Sequence, residues 1–459
     1  MFLGTKSDIV KCLSSAKNAE RAVESMTQVN NEQQPNQDQH NIISQAPVVE
    51  ATILDAAGVI NIKKPDSMNV KSFQDYAEKV FIPYVDSQQG NRIDIVWDQY
   101  IPNSLKSYAR ESRGKGIRRR VTAQSKIPSD WQNFLKVEGN KKELFPYLAE
   151  TTVRASSKTI FTNIGNRVIT NTTDFDISSM DPCNHEEADT RIFTHVKHIS
   201  TCGYNSAIIR TVDSDIVVLA VSLFDDLGLE TLWIAFNTGI HFSYIPVHEI
   251  AACLGIKCKS LPFFHALTGC DTTSAFQFKG KCTAWDTWKT FPEVTSAFID
   301  LSSNPDSISA ESMQSIERFV ILLYDRTSNE TDVNMVRKRL FSAGRDMERI
   351  PPTKAALEEH VKRAVYQGGK CWGQCLEPMQ NLPSPSEWGW QDVNGIWSPL
   401  WSQKAEAMKS LLMLTSCGCK TGCQTKRCKC RKTSLSCTAL CKCNGVCILV
   451  TNKQHCLYF

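Results

Sequence analysis

Residues 207–221 read Ala207-Ile-Ile-Arg-Thr-Val-Asp213-Ser-Asp215-Ile-Val-Val-Leu-Ala-Val221, and this stretch decides the fold. An apolar run that ends on an acid, followed at once by a second apolar run, is typical of a buried strand that turns into a helix. Ionised carboxylates are costly to bury unless a partner neutralises them. The two acids at this turn therefore predict a cation site, and Mg²⁺ prefers carboxylate oxygens.

The same pattern of a strand ending on an acid occurs twice earlier in the chain. Val49-Glu-Ala-Thr-Ile-Leu-Asp55 and Ile93-Asp-Ile-Val-Trp-Asp98 both end this way, and helical periodicity lies between the apolar runs. Alternating strands and helices predict an α/β fold with a mostly parallel, twisted sheet covered by helices on both faces. Because sites in such sheets form beyond the carboxyl ends of the strands, we expect these acids to meet. The alternative is that each acid only caps the helix that follows it.

Composition divides the 459 residues into four predicted parts. Residues 1–48 are polar and mostly disordered, with one possible helix; 49–300 form the α/β domain; 301–410 form a helical, tryptophan-rich extension; and 411–459 form a cysteine-rich module. No apolar run approaches the ~18 residues of a membrane helix, and the N-terminus lacks the order of a secretory signal. We therefore expect no membrane association and a reducing cytosolic or nuclear location, in which the cysteines are not a disulfide framework by default.

Five short acidic motifs occur in a characteristic order: Leu54-Asp55, Val96-Trp97-Asp98, Glu187-Ala-Asp189, Val212-Asp213-Ser-Asp215 and Gly269-Cys-Asp271. This order resembles the PIN-like nucleases, above all their flap-endonuclease branch, over roughly residues 49–290. The resemblance implies a nuclease core in which seven acids hold two Mg²⁺ or Mn²⁺ ions and hydrolyse phosphodiesters. These acids would be Asp55, Asp98, Glu187, Asp189, Asp213, Asp215 and Asp271, with Asp189 standing where the family usually has Glu.

A basic stretch follows Asp98, as a basic arch does in the same family. Between Lys106 and Arg120 there are seven basic residues and one acid. The resemblance implies that Lys106 and Arg113 steer the phosphate, with Arg110 as a further nucleic-acid contact. The alternative is a solvated helix face.

The C-terminal cysteines form the most specific pattern in the chain. Ten of the 19 cysteines fall between positions 417 and 456, and nine of these have metal-ligand spacing. In a reducing compartment such spacing indicates Zn²⁺. Nine thiolates can close a cluster of three tetrahedral ions if three of them bridge. The nine are Cys417, Cys419, Cys423, Cys428, Cys430, Cys437, Cys441, Cys443 and Cys447.

This spacing is similar to that of the tesmin-type CXC domain, which binds DNA. From Thr415 to Phe459 there are eight Lys or Arg and no Asp or Glu, the pattern expected of a surface that contacts phosphates. Candidate DNA contacts are Lys426, Arg427, Lys429 and Arg431. The alternative is a structural zinc module used for protein contact. The whole chain resembles mobile-element-like animal proteins that join a nuclease-type core to a cysteine-rich tail.

The sequence therefore predicts a Mg²⁺- or Mn²⁺-dependent endonuclease or structure-specific nuclease that a zinc module brings to DNA. A second hypothesis is a non-catalytic DNA-binding or chromatin-associated protein with a degenerate core. A third is a metal-dependent phosphatase. Three histidines, His195, His198 and His265, are candidate site residues, although each is more simply interpreted as a core or surface residue.

Overall fold

The computed structural model describes residues 8–16, 46–66, 68–106, 116–402, 417–419, 423, 427–432, 437 and 441–443. Predictions that concern other positions lie outside the described residues. They include most of the polar segment at 1–48, and also Arg110, Arg113, Lys426 and Cys447.

Seven strands form the main sheet: β1 (Ala51–Asp55), β2 (Arg92–Val96), β3 (Thr159–Ile164), β4 (Arg167–Thr170), β5 (Ser206–Thr211), β6 (Thr231–Phe236) and β7 (Ser243–Pro246). Their order across the sheet is β4-β3-β2-β1-β5-β6-β7. The five central strands are parallel, and an antiparallel strand lies at each edge. This confirms the predicted mostly parallel α/β sheet, whereas the two edge strands were not predicted.

The helices connect the strands and continue beyond the sheet. They are α1 (Ala56–Ile62), α2 (Phe73–Tyr76), α3 (Ile82–Asp86), α4 (Trp131–Leu135), α5 (Glu138–Ala155), α6 (Ala188–Thr201), α7 (Ser214–Leu227), α8 (Val247–Leu254), α9 (Leu261–Leu267), α10 (Lys281–Thr290), α11 (Thr295–Ser303), α12 (Ala310–Tyr324), α13 (Val333–Ser342), α14 (Lys354–Val365) and α15 (Lys429–Lys432). A π-helical turn, Ala77–Phe81, joins α2 to α3, and another, Tyr366–Cys371, continues α14.

The sheet is covered on both faces because side chains alternate along each strand. In β1, Ile53 belongs to one hydrophobic core and the next residue, Leu54, belongs to the other. Helices α6 and α7 pack on the first face, and the segment from α1 to α5 packs on the second. Strands buried on both faces are almost wholly apolar, which is why β5 and β6 could be recognised from the sequence.

The tryptophan-rich extension packs into the core of the first face. Phe319, Val361 and Trp372 belong to the same hydrophobic core as Ile53, so that core includes residues from both sides of position 300. A second, two-stranded sheet, β8 (Trp390–Val393) and β9 (Ile396–Pro399), lies within the extension and was not predicted.

The N-terminal helical segment at 8–16 also joins that core. Ile9 and Leu13 are fully buried there. The sulfur of Cys12 lies 3.4 Å from the sulfur of Cys282 in α10. The one possible helix expected within residues 1–48 is therefore present over residues 8–16.

One helical stretch, Val247–Leu267, has the length and mean hydropathy of a membrane span. It comprises α8, α9 and the turn between them, and 67% of it is buried inside the protein. A core helix passes the same test of length and composition.

Candidate functional site

Three of the predicted acids meet at the carboxyl ends of three adjacent strands. Asp55 is the last residue of β1, Asp98 follows β2 by two residues, and Asp213 follows β5 by two residues. From β1 the chain continues to β2 and β3 on one side and later to β5 and β6 on the other, so the strand order reverses between β1 and β5. In open α/β sheets, ligands bind at such a switch point. Asp55 and Asp213 lie on its two sides.

Each of these strand-end acids also caps a helix. Asp55 Oδ1 accepts a hydrogen bond from the backbone N–H of Gly58 at 3.1 Å, and Asp213 Oδ1 accepts one from Asp215 at 3.0 Å. Asp98 caps a helix that is distant in sequence, because its Oδ1 accepts from the N–H of Ala188, the first residue of α6, at 2.9 Å. An ionised carboxylate has about four lone-pair positions, so capping leaves room for a further ligand.

Helix α6 brings two more acids to the same place. Glu187 is its N-cap residue, and Asp189 lies in its first turn, where the helix dipole favours negative charge. The side chain of Asp189 is 8% exposed, and its Oδ1 has no hydrogen-bond partner among the described residues. Burying a carboxylate oxygen without a hydrogen-bond partner costs free energy, and a cation bound to that oxygen would remove this cost.

Lys106 lies among these acids. Its Nζ is 2.5 Å from Glu187 Oε2 and 3.6 Å from Asp271 Oδ2, and the residue is 8% exposed. Burial would lower the pKa of Lys106, but the carboxylates of Glu187, Asp189, Asp271 and Asp215 outweigh it and raise the pKa well above its usual value. Lys106 therefore stays charged and neutralises part of the cluster.

Lys106 does not neutralise the whole cluster, as the carboxyl pKa values show. Burial, with the charge of Asp98, raises the pKa of Asp55 to about 6. Burial also raises the pKa of Glu187, and burial with the charge of Glu187 raises the pKa of Asp189 well above its usual value. Crowded oxygen donors with raised pKa values and one unpaired oxygen fit a hard divalent cation such as Mg²⁺ or Mn²⁺.

The remaining acids complete the group. Asp215 is 2% exposed, and its Oδ1 accepts a hydrogen bond from His265 Nε2 at 3.0 Å. Lys281 donates to the carbonyl oxygen of His265 at 2.8 Å, so a buried chain of polar groups supports Asp215. His265 is thus a buried histidine that also contacts a site acid.

The structure thus brings all seven predicted acids into one electrostatic network. Hydrogen bonds and Lys106 link these acids, and burial together with mutual repulsion raises three of the carboxyl pKa values. Their catalytic role stays a prediction. Sequence reasoning did not identify Thr211, whose hydroxyl donates to Asp55 Oδ2 at 2.8 Å, because nothing marks a threonine at the end of a strand as functional.

A second buried network lies on the inner side of α6 and was also missed. Arg92 donates to Asp94 at 2.7 and 3.0 Å, and its guanidinium contacts His198 Nδ1 at 2.8 Å. Asp94 Oδ2, which accepts from Arg92, also lies 2.8 Å from His195 Nδ1. These contacts fix α6, which carries Asp189, to β2, which precedes Asp98. The histidines are buried core residues, which agrees with their simpler interpretation.

Metal affinity at the acid cluster is expected to rise with pH. Protons compete with cations for carboxylates whose pKa is raised, so binding weakens as pH falls toward and below about 6, the pKa of Asp55. Calorimetric titration of the zinc-loaded chain with Mn²⁺ between pH 5 and 8 should give increasing affinity and net proton release. Binding that is independent of pH, with no proton release, would contradict this account of the cluster.

The cysteine-rich module brings thiols together, as the α/β domain does with carboxylates. Eight of the nine predicted ligands lie in the described residues, and six of them are buried. Three groups of four sulfurs have all their atoms within 4.8 Å of one another: Cys417, Cys423, Cys437 and Cys443; Cys417, Cys428, Cys430 and Cys437; and Cys417, Cys419, Cys423 and Cys428. The backbone N–H of Arg431 lowers the pKa of Cys428 to about 6, which favours the thiolate that binds metal. This cluster can hold zinc.

No protein-family model matches this sequence, and neither does any of the curated proteins with which it was compared. The resemblances to PIN-like nucleases and to the CXC domain rest on motif order and spacing. The observed α/β sheet and the thiol cluster are compatible with both.

Proposed function

We propose that this chain is a metal-dependent nuclease that hydrolyses DNA phosphodiester bonds and that its cysteine-rich module holds it on DNA. One observation carries the proposal. Seven carboxylates from five separate segments lie near the switch point beyond the carboxyl ends of the parallel strands, with the ammonium of Lys106 among them. Such a concentration of buried negative charge is costly unless cations or protons neutralise it, and phosphodiester hydrolysis uses divalent cations.

The residues have distinct roles in this proposal. Asp55, Asp98, Asp213 and Asp215 would hold divalent ions from the strand side, and Glu187, Asp189 and Asp271 would do so from the opposite side. The chemistry that two such ions supply is activation of the attacking water and stabilisation of the leaving oxygen. Lys106 would turn from the carboxylates toward the substrate phosphate, which its three donors can hydrogen-bond.

The cysteine-rich module would deliver this core to DNA. Buried thiols alternate with basic side chains along the described part of the module, where Arg427, Lys429, Lys432 and Lys442 are exposed between buried cysteines. The overlapping four-sulfur groups favour a cluster of several zinc ions that share thiolates, and we propose three ions. Contact between this basic surface and phosphates would provide affinity without requiring a particular sequence. A nuclear location follows from this role.

The proposal is tested by cleavage of single-stranded, flap and hairpin DNA with Mg²⁺ or Mn²⁺. In the double variant Asp213→Ala/Asp215→Ala we expect a loss of about 10³-fold or more, because several kcal/mol of charge stabilisation disappear. Asp225→Ala/Asp226→Ala is the matched control, since these exposed acids lie at the other end of the same helix, α7. It should cleave like the wild type.

Two outcomes would replace the proposal with one of its alternatives. If the wild-type chain and the double variant are equally inactive on every substrate, the non-catalytic DNA-binding protein takes its place. If the chain hydrolyses small phosphate esters but leaves polynucleotides intact, it is a metal-dependent phosphatase.

A further inference from the structure

A cavity of about 420 Å³ lies between the acid cluster and the tryptophan-rich extension. Lys106 and Glu187 form part of its wall, so the cavity opens beside the site proposed above. Tyr366, Gln367 and Trp397 of the extension form the opposite wall. The extension therefore adds a binding space to the acid cluster.

The two walls are joined by hydrogen bonds. Asn184, just before α6, exchanges two hydrogen bonds with Gln380: its Nδ2 donates to the Gln380 carbonyl at 2.9 Å, and its Oδ1 accepts from the Gln380 N–H at 2.7 Å. Thr272, next to Asp271, donates to Gln367 Oε1 at 2.8 Å. Both segments that carry acids on this side are thus fixed to the extension. The cavity is formed before any ligand arrives, which lowers the entropic penalty of binding.

The chemistry of the wall favours a neutral, planar, polar ligand. Lys106 is the only cation among the described residues that line the cavity, and Glu186 and Glu187 oppose any anion that enters deeply. Gln367 accepts from Thr272, which leaves its amide nitrogen as a donor, and Asn103 provides a further carboxamide. Carboxamides pair with the edges of nucleobases, and aromatic rings stack on their faces.

Trp397 differs from most tryptophans of the extension. Trp372, Trp388 and Trp390 are buried. Trp397 is half-buried in β9 and lines the cavity. The ring of Tyr366 is held in the same wall, because its hydroxyl donates to the carbonyl oxygen of Pro383 at 3.1 Å.

We propose that this cavity binds one unpaired nucleobase of the DNA strand whose phosphate lies at the acid cluster, an inference that rests on the function proposed above. The volume lies within the range of about 300–1,000 Å³ typical of small-ligand sites, and a base still paired in a duplex could not enter it. The base stacks on Trp397 and hydrogen-bonds to the carboxamides, and Lys106 contacts the adjoining phosphate. The extension thereby selects strands with an unpaired nucleotide beside the cleavage point.

The test uses the full, zinc-loaded chain and a single-stranded 12-nucleotide DNA that carries one 2-aminopurine, with Ca²⁺ in place of Mg²⁺. The fluorescent base is moved through the strand one position at a time. We expect strong quenching by stacking at one position or two neighbouring positions. The variant Trp397→Ala should lose this quenching, whereas Trp401→Ala should keep it, because Trp401 lies in the same segment but lines a different cavity.

Affinity provides the second measurement. Removing the base at the quenched position should weaken binding of the wild-type chain by about 5- to 150-fold, the usual contribution of one stacked base. Removing the same base should have little effect on the affinity of the Trp397→Ala variant for the strand. Gln367→Met, which keeps the volume of the side chain, should also weaken binding of the intact strand, and melting curves would show that each variant is folded.

The outcomes separate this inference from the proposed nuclease function. Quenching that is absent at every position, or that persists in Trp397→Ala, overturns the base-binding site even if the wild-type chain cleaves DNA with Mg²⁺. Quenching that depends on Trp397 in a chain that cleaves nothing supports the base-binding site and overturns the nuclease.

Discussion

The variant Asp189→Asn is expected to melt at a higher temperature than the wild-type chain when divalent ions are absent. Burial and neighbouring acids raise the pKa of Asp189, so its ionised form destabilises the folded state. A raised carboxyl pKa means that the folded chain binds more protons than the unfolded one, and this contribution to stability disappears as pH rises. Asparagine has nearly the same shape without the charge. Because the entropy of unfolding is about 2.1 cal/mol/K per residue, the melting temperature of a chain of 459 residues should rise by about 1 °C for each kcal/mol of relieved repulsion.

The same variant should lose its response to metal. If divalent ions bind the wild-type cluster, a concentration 100-fold above the dissociation constant stabilises it by about 2.7 kcal/mol. Asp189→Asn should show little of this stabilisation, and cleavage should fall by about 10³-fold. Differential scanning fluorimetry with and without Mn²⁺ measures both effects.

Asp174→Asn provides the control, because Asp174 is exposed and lies away from the cluster. It should change neither the melting temperature nor the metal response. If Asp189→Asn instead lowers the melting temperature and still responds fully to Mn²⁺, Asp189 is a structural residue and the cation site is wrong.

The second large effect is expected at Cys430. This residue is fully buried, and its sulfur lies 3.5 Å from that of Cys441. Small metal-stabilised modules gain most of their folding energy from zinc, about 10–16 kcal/mol in zinc-finger peptides. Cys430→Ser should therefore lower the zinc content by at least one ion per chain and strongly weaken retention on DNA, while the α/β domain stays folded.

Atomic absorption and DNA-binding titrations over a range of salt concentrations measure these changes. The wild-type chain should contain about three zinc ions, and its affinity should fall steeply with salt, because basic residues displace counterions from the phosphates. Cys253→Ser, a thiol substitution in α8, should change neither quantity. A wild-type zinc content near one ion per chain would contradict the proposed three-ion cluster.

The elements that could be predicted from the sequence are those whose signal is local. Strands β1, β2, β3, β5 and β6 consist mostly of apolar or β-branched residues, and an acid lies at the end of β1 and two residues beyond the ends of β2 and β5. The parallel sheet follows from their alternation with helices, and the meeting of the acids follows from the sheet. The cysteine spacing is local in the same sense, so the sulfur cluster could be expected from the sequence alone.

The features that could not be predicted depend on contacts between distant residues. Asp98 caps a helix that begins 90 positions later, and Lys106 turns inward to Glu187 although its sequence context is a basic stretch. The cavity forms because Gln367 and Trp397 lie close to residues near position 104. The periodicity of apolar residues in the sequence does not predict such a long-range contact. Sequence reasoning could place Trp397 only within a tryptophan-rich group, since burial of each ring is decided by tertiary packing.

The short helix at 8–16 changes how a recombinant version of this protein should be designed. A polar stretch that resembles a tail separates it from β1, and an engineer who trimmed the chain at position 48 would consider the cut harmless. That cut would remove Ile9, Leu13 and Cys12 from the interior and expose an apolar surface on α10 beside Cys282. Such a truncated product would be prone to aggregate, and its inactivity would say nothing about the chemistry of the acids.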